Sequence, residues 1–305
     1  MKKSFRMVLA AGILAFLPAM AFGQSNLSEV IQFGSDNIAD VSQTGNTNSA
    51  YIMQGDESVP VDGLNNTAKQ MQSGGTLNLE NIYQINENNY ADQKQYNGES
   101  NQAFIIQDGS SDGNSAFQTQ GFTLPSTGNW AKIEQIGSGN LSEQTQDGLA
   151  NWAYINQKTL LNTASQTQSG ENNVANIFQD GDNLTAAQVQ SGTSNNALAD
   201  QAGSSQTATQ TQTGVGNTAQ VCQTGSTNVA IQEQLGVGNF AKIEQYGTGH
   251  YAYQSQDSDG AFATTAFAVQ NGSSNWSSQV QTGTGHITHV TQTGALNSAT
   301  VLQAN

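Results

Sequence analysis

The sequence predicts an all-β chain, a parallel β-solenoid of about twelve coils, each of 22 residues arranged strand, turn, strand, turn. Three observations predict it. A block returns far along the chain in the same order, its parent unit recurs every eleven residues, and successive units alternate between two kinds.

The block is GNWAKIEQIGSGNLSEQTQ at 128–146, which returns as GNFAKIEQYGTGHYAYQSQ from Gly238, 110 residues later. The unit reads Asn-x-Ala-x-Ile-x-Gln-x-Gly-x-x. Its closing glutamine falls at Gln135, Gln146, Gln157, Gln168, Gln179, Gln190, Gln201, Gln212, Gln223, Gln234, Gln245 and Gln256, eleven apart each time. Gln270, Gln281, Gln292 and Gln303 continue the series. A looser run of Gln32, Gln43, Gln54, Gln72, Gln84, Gln95, Gln107 and Gln120 precedes it, making 24 units.

Two residues before the closing glutamine, one kind of unit carries a small or aliphatic residue: Ile133, Ile155, Ile177, Ala199, Val221, Ile243. The other carries a second amide: Gln144, Gln166, Gln188, Gln210, Gln232, Gln254. The structural period is therefore two units. Within a unit, Asn, Ala, Ile and Gln occupy alternate positions, as a strand with one face turned inward requires. A helix would need a period of 3.6, which is absent. Glycine and small polar residues then close the unit as a turn.

Each coil should pair in parallel with the next, about 4.8 Å along, so that like residues stack. Asn129, Asn217 and Asn228 open their units and flank the aliphatic and alanine columns. Stacked side-chain amides donate and accept along the axis, which matters because a buried unpaired amide costs about 1–3 kcal/mol. The prolines beyond the leader, Pro60 and Pro125, fall in irregular insertions, expected near 55–65, 121–128 and 257–266. Proline is thereby kept out of the strands.

Composition sets the remaining bounds. Only 35% of residues are hydrophobic, too few for a conventional core, so the choice lies between disorder and a stacked repeat. Disorder does not require register, and the strict period decides for the repeat. Residues 1–23 have the order of a secretory signal peptide: Lys2, Lys3 and Arg6, then the apolar run Met7–Leu17, then Pro18 and small residues, with cleavage after Ala21 or Gly23. No later segment is apolar enough to span a bilayer, so residues 24–305 are expected to be exported and not membrane-embedded. Loss of the leader leaves five lysines against 23 acidic residues, a balance of −18. Such a surface repels phosphate backbones and excludes nucleic acid as a partner.

The spacing resembles the curlin repeat of bacterial curli subunits, Ser-x5-Gln-x-Gly-x-x-Asn-x-Ala-x3-Gln. Asn217, Gln223, Gly225, Asn228, Ala230 and Gln234 match it most closely, and Asn129, Gln135, Gly137, Asn140, Ser142 and Gln146 match it again. The leading serine is usually asparagine here, and the coil number is about twice that usual for the family. The resemblance implies a secreted functional amyloid for cell adhesion and biofilm matrix. Its partners would be further copies in a homopolymeric fibre, another curlin-type subunit, and an outer-membrane secretion apparatus. Whether the chain is a major or a nucleating subunit stays open.

Other chemistry finds little support. His250 and His286 replace the opening asparagine of their units and His289 points outward; scattered, they read as ladder or surface residues and not as metal ligands. Cys222 reads as an outward surface thiol, with intersubunit crosslinking as the alternative. Asp108, Asp112, Asp147, Asp180, Asp182, Asp257 and Asp259 lie in or near turns, for solubility or, by the resemblance, to slow premature assembly. Lys132–Glu134 and Lys242–Glu244 read as outward charge pairs. No cofactor and no catalytic constellation is expected, and charged residues make up only 10% of the chain. Tyr90, Trp130, Trp152, Phe240, Tyr251 and Trp276 share the second position of their units, as a partial aromatic column for lateral or adhesive contact.

The end coils are the expected assembly surfaces, with Val30, Gln32, Val290, Gln292, Val301 and Gln303 as their inward residues. The first unit begins at Asn26 and the last ends at Gln303, leaving no room for a cap. The alternative is a monomeric solenoid adhesin or an ice- or glycan-binding protein. For that reading Thr163, Ser165 and Thr167 form one rung and Thr207, Thr209 and Thr211 another.

Overall fold

The computed structural model describes residues 7–9, 21–22, 25–56, 63–108, 113–122, 126–258 and 263–304. Strands alternate between two parallel sheets, with no helix among the described residues, in about twelve coils of roughly 22 residues. The chain divides into two compact units at Leu161.

In the first unit one sheet contains Leu27–Gln32, Ser49–Gln54, Leu79–Gln84, Gln102–Asp108, Trp130–Ser138 and Trp152–Leu160. The other contains Ile38–Thr44, Thr67–Ser73, Tyr90–Tyr96, Ser115–Gln120 and Leu141–Leu149. Two short N-terminal strands join their edges: Met7–Leu9 pairs with Val30–Gln32, and Ala21–Phe22 with Gln43–Thr44. The coils here are unequal. Gln135 meets Gln157 at a separation of 22 residues, but Gln54 meets Gln84 at 30 and Gln107 meets Gln135 at 28. The described strands keep their register across these longer coils.

The second unit is more regular. Thr163–Glu171, Thr185–Thr193 and Thr207–Val215 pair in register 22 residues apart, and so do Val174–Asp182, Asn196–Ser204 and Thr218–Ser226 on its other sheet. The one widening falls at 257–266, where Gln254 meets Gln279 at a separation of 25.

The inward positions form columns. Ile133 and Ile155 stack in the first unit, and Ile177, Ala199, Val221 and Ile243 stack in the second, none more than 1% exposed. Alanines stack beside them. Each fully buried isoleucine removes enough apolar surface to contribute about 1.5–3 kcal/mol, and alanine lets the two sheets approach closely.

The turns differ from the expectation. The sequence reading closes each strand before its glycine, whereas the strands of the second unit are mostly nine residues long and coil-to-coil pairing continues through it. Gly181, for example, pairs with Gly203 inside the ladder although its φ is +151°. The chain turns by glycine dihedrals while its backbone groups keep the next coil as partner, so the turns stack as the strands do. After each nine-residue strand there only two residues precede the next, and one of them, such as Asn183 or Ser194, is left-handed.

This doubly constrains the glycines. At Gly192, φ is +113° and a Cβ would lie 2.1 Å from the carbonyl oxygen of Gly214. Gly192→Ala is expected to destabilise the chain by about 2–4 kcal/mol, through backbone strain and displacement of the next coil. Gly216, with φ +67° and nothing within 4 Å of a Cβ, should tolerate alanine for about 1–2 kcal/mol. Denaturant unfolding of the two variants measures the difference; equal losses would remove the role given to the close approach.

Candidate functional site

The inward polar side chains form continuous hydrogen-bonded ladders. Gln179 Nε2 donates to Gln201 Oε1 at 3.0 Å, Gln201 Nε2 to Gln223 at 2.9 Å, and Gln223 Nε2 to Gln245 at 2.7 Å. Each also donates across the coil to a backbone carbonyl of the facing strand, as Gln179 does to Thr163 at 3.1 Å. The double-glutamine strands carry two parallel ladders. Gln166, Gln188, Gln210, Gln232 and Gln254 form one; Gln168, Gln190, Gln212, Gln234 and Gln256 form the other. In the first unit Gln118 donates to Gln144, Gln120 to Gln146, and Gln135 to Gln157. Each of these links runs the same way, from the earlier coil's amide nitrogen to the later coil's amide oxygen.

Asparagines brace the turns. Asn195 Nδ2 donates to the Gly214 carbonyl at 3.0 Å, and its backbone N–H donates to Asn173 Oδ1 at 3.0 Å. Asn129, Asn217 and Asn228 make equivalent bonds. His250 occupies an asparagine position and is buried: its Nε2 lies 3.0 Å from the Tyr246 carbonyl, and the Asn275 N–H donates to its Nδ1 at 3.3 Å. His286 holds the Thr282 carbonyl in the same way, while His289 is outward and exposed. Among the described residues no cluster of three or more His, Cys, Asp or Glu is placed to hold a metal ion.

One interior residue has no counterpart in the sequence reading. Glu80 occupies an alanine position, paired with Ala50 and Ala103, and is fully buried with neither carboxylate oxygen hydrogen-bonded. Burial, and secondarily the charge of Asp92, pushes its carboxyl well above the usual carboxylate range. The lattice of neutral amides therefore contains a titratable group.

Outside, Lys132–Glu134 and Lys242–Glu244 are ion pairs at 2.5 and 2.6 Å. Burial alone would raise the Glu134 carboxyl, but bonds from Lys132, Tyr154 and Asn156 outweigh it and hold the group below the usual range. Burial and that same bond push the Tyr154 phenol up to about 12. The aromatic residues do not form one column. Trp130 and Trp152 stack with ring centroids 3.7 Å apart, but Tyr90 lies on the opposite sheet and packs on Phe117. In the second unit Phe240 packs on Phe267, opposite the sheet that carries Tyr251 and Trp276. The threonine rungs share a sheet, with Thr185, Ala187 and Val189 between them. Cys222 is partly exposed in an outward position between Asp200 and Glu244. Asp112 and Asp259 lie outside the described residues; Asp108, Asp180, Asp182 and Asp257 occupy strand ends, and Asp147 is nearly buried.

Among the described residues no strand pairs along the outer edge of Ser298–Ala304. In Ser298–Ala304 the inward positions Ala299, Val301 and Gln303 are partly exposed, where the neighbouring strand buries Ser277, Gln279 and Gln281. Leu302 is 74% exposed and Ile287 70%. In the preceding strand Val290 and Gln292 are each 6% exposed. Val30 and Gln32, in Leu27–Gln32, are partly exposed, with Met7–Leu9 paired along that strand.

Stacked coils, buried isoleucine and alanine columns and polarised amide ladders define a parallel β-solenoid. A family comparison matches residues 216–247 to the curlin associated repeat. No curated protein matches the chain.

Proposed function

We propose that this chain is a secreted structural subunit that stacks head-to-tail with further copies into extracellular, curli-like fibres for cell adhesion and biofilm matrix. The open edge of Ser298–Ala304 carries the reading. It presents the same backbone groups and closing amide that every inner coil offers its neighbour, so another copy can continue the ladder by strand addition. Such a contact does not close on itself and yields a filament. The curlin repeat supports a structural role in place of an enzymatic one. The leader-like residues 1–23 support export, and the resemblance to curli subunits extends the reading to an outer-membrane secretion apparatus and a second curlin-type subunit as partners.

Seeding tests the proposal. A trace of preformed aggregate should abolish the lag of fresh protein; a chain that stays monomeric after days at high concentration would favour a solitary adhesin. Ionic strength gives a second expected outcome. With a balance of −18 after loss of the leader, subunits repel on encounter, and exposed charges more than about 8–10 Å apart are largely screened at physiological salt. Added salt should therefore shorten the lag, read with an amyloid dye at fixed pH. Lengthening would mean that attraction between charges governs assembly.

A further inference from the structure

Two inner columns break their rule only where the described coils end, or nearly so, and they break it in matching ways. In the glutamine-bearing strands, Gln occupies the position two before the closing glutamine in all ten strands from Thr67–Ser73 to Trp276–Thr282. The first and last strands of that kind, Ile38–Thr44 and Ser298–Ala304, carry Val41 and Val301 there instead. In the other strands the first inward position is alanine from Ala50 to Ala266, Glu80 excepted, but Ser28 and Thr288 at the two ends.

Both exceptions leave a group unsatisfied within the chain. Gln70 Oε1 is buried without a partner, because Val41 has no amide to donate along the ladder. Thr288 Oγ1 is likewise buried without a partner, in a side chain only 3% exposed. A residue that costs stability at each end in the same column, valine with valine and hydroxyl with hydroxyl, suits a joint in which the two ends meet.

We propose that a second copy of this chain docks its first coil on the last coil in one register, with Val301 on Val41, Thr288 hydrogen-bonded to Ser28, and Gln303 and Gln292 on Gln43 and Gln32. The inference rests on the fibre reading and specifies its contact. Ladder polarity supports the same joint. Gln281 Nε2 donates to Gln303 Oε1, whereas Gln32 and Gln43 donate onward to Gln54 and Gln72. No ladder amide among the described residues donates to Gln32 or Gln43 Oε1, and none accepts from Gln292 or Gln303 Nε2 along the axis. The last coil thus offers donors and the first offers acceptors, so head-to-tail contact continues the ladder while two last coils would oppose donor to donor. The leader strands pair along the first-coil edge, and their removal on export opens it.

Crosslinking tests the register. Two variants, Val41→Cys and Val301→Cys, are made in a Cys222→Ser background, expressed with the leader, collected after export and mixed. In-register parallel neighbours sit about 4.8 Å apart, within disulfide range of about 4.4–6.8 Å. Oxidised mixed fibres should yield the 41–301 dimer, and fibres of either variant alone should yield none. Dimers in Val301→Cys fibres alone, or mixed fibres with no 41–301 dimer, would overturn the joint while leaving fibre formation standing; failure of the parent chain to form fibres would overturn the fibre reading itself. A compensation experiment covers variants that fold poorly. Val301→Gln should slow seeded elongation about tenfold, since its added amide would face valine, and adding Val41→Gln should restore it by completing the column. Absence of rescue with both variants folded would also overturn the proposal.

Discussion

Lysine at both 301 and 303 is expected to slow seeded fibre growth by about a hundredfold or more while leaving the far-ultraviolet circular dichroism of the monomer unchanged. Val301 and Gln303 are inward but partly exposed on an open edge, so in the free chain the long lysine stems can carry their ammonium groups to water. Docking a second coil removes that escape. Two cations would be buried with no carboxylate in the column to receive them, and each uncompensated buried charge costs several kcal/mol. The same substitutions at Ile177 and Gln179, 0% and 1% exposed, should act at an earlier stage, lowering the stability of the monomer itself. Dye-monitored elongation with a fixed seed, beside monomer melting, separates the two. Undiminished growth of the 301/303 variant would mean that the last strand is not an assembly surface.

Glu80→Ala should stabilise the first unit at pH 7 and remove most of the loss of stability that the wild type shows as pH rises above 4.5. The wild-type carboxyl is fully buried, lies between Ala50 and Ala103, and is raised by burial and then by Asp92. Asp92 is paired with Lys94 at 2.8 Å; Lys69 stands beside Asp92 in the same sheet, and neither lysine bonds to Glu80. The folded chain thus holds the Glu80 proton more tightly than the unfolded chain, whose ordinary value is 4.5. The stabilisation is complete below that pH and is lost as pH rises towards the folded value, at about 1.4 kcal/mol per unit. Denaturant titrations from pH 4 to 8 on wild type and Glu80→Ala measure it. Wild-type unfolding with no loss of stability as pH rises, or a variant less stable than wild type at pH 7, would show that Glu80 has a partner that the geometry lacks. Acid therefore favours this protein twice, by discharging its surface and by neutralising its one carboxyl in an alanine column.

Most of the fold was legible because the columns are written one residue type at a time. The recurrence of Gln179, Gln201, Gln223 and Gln245 at 22 residues states their contact as directly as a distance does. The turns were less legible. Glycine ordinarily marks the end of a strand, and nothing in Gly181 alone tells that its backbone still pairs with Gly203 through a left-handed dihedral. Glu80 was hidden for a related reason: in the looser early units the register is blurred by insertions, so its place in an alanine column emerges only when Leu79–Gln84 is aligned between its neighbours. The aromatic residues were misassigned to one column because a shared position within an eleven-residue unit does not distinguish the two sheets. The twenty-two-residue period does.

Each inner side chain of the second unit finds its ladder partner in the same column one coil away, nearly always 22 residues distant in sequence. Length is therefore quantised. Removing or duplicating a segment such as 174–195 deletes or adds one whole rung to every column and leaves each surviving side chain facing a neighbour of its own kind, whereas losing eleven residues would set aliphatic on amide. A gene of this design can grow and shrink by unequal recombination between its own repeats without passing through a misfolded intermediate, and the products differ only in how far one subunit reaches.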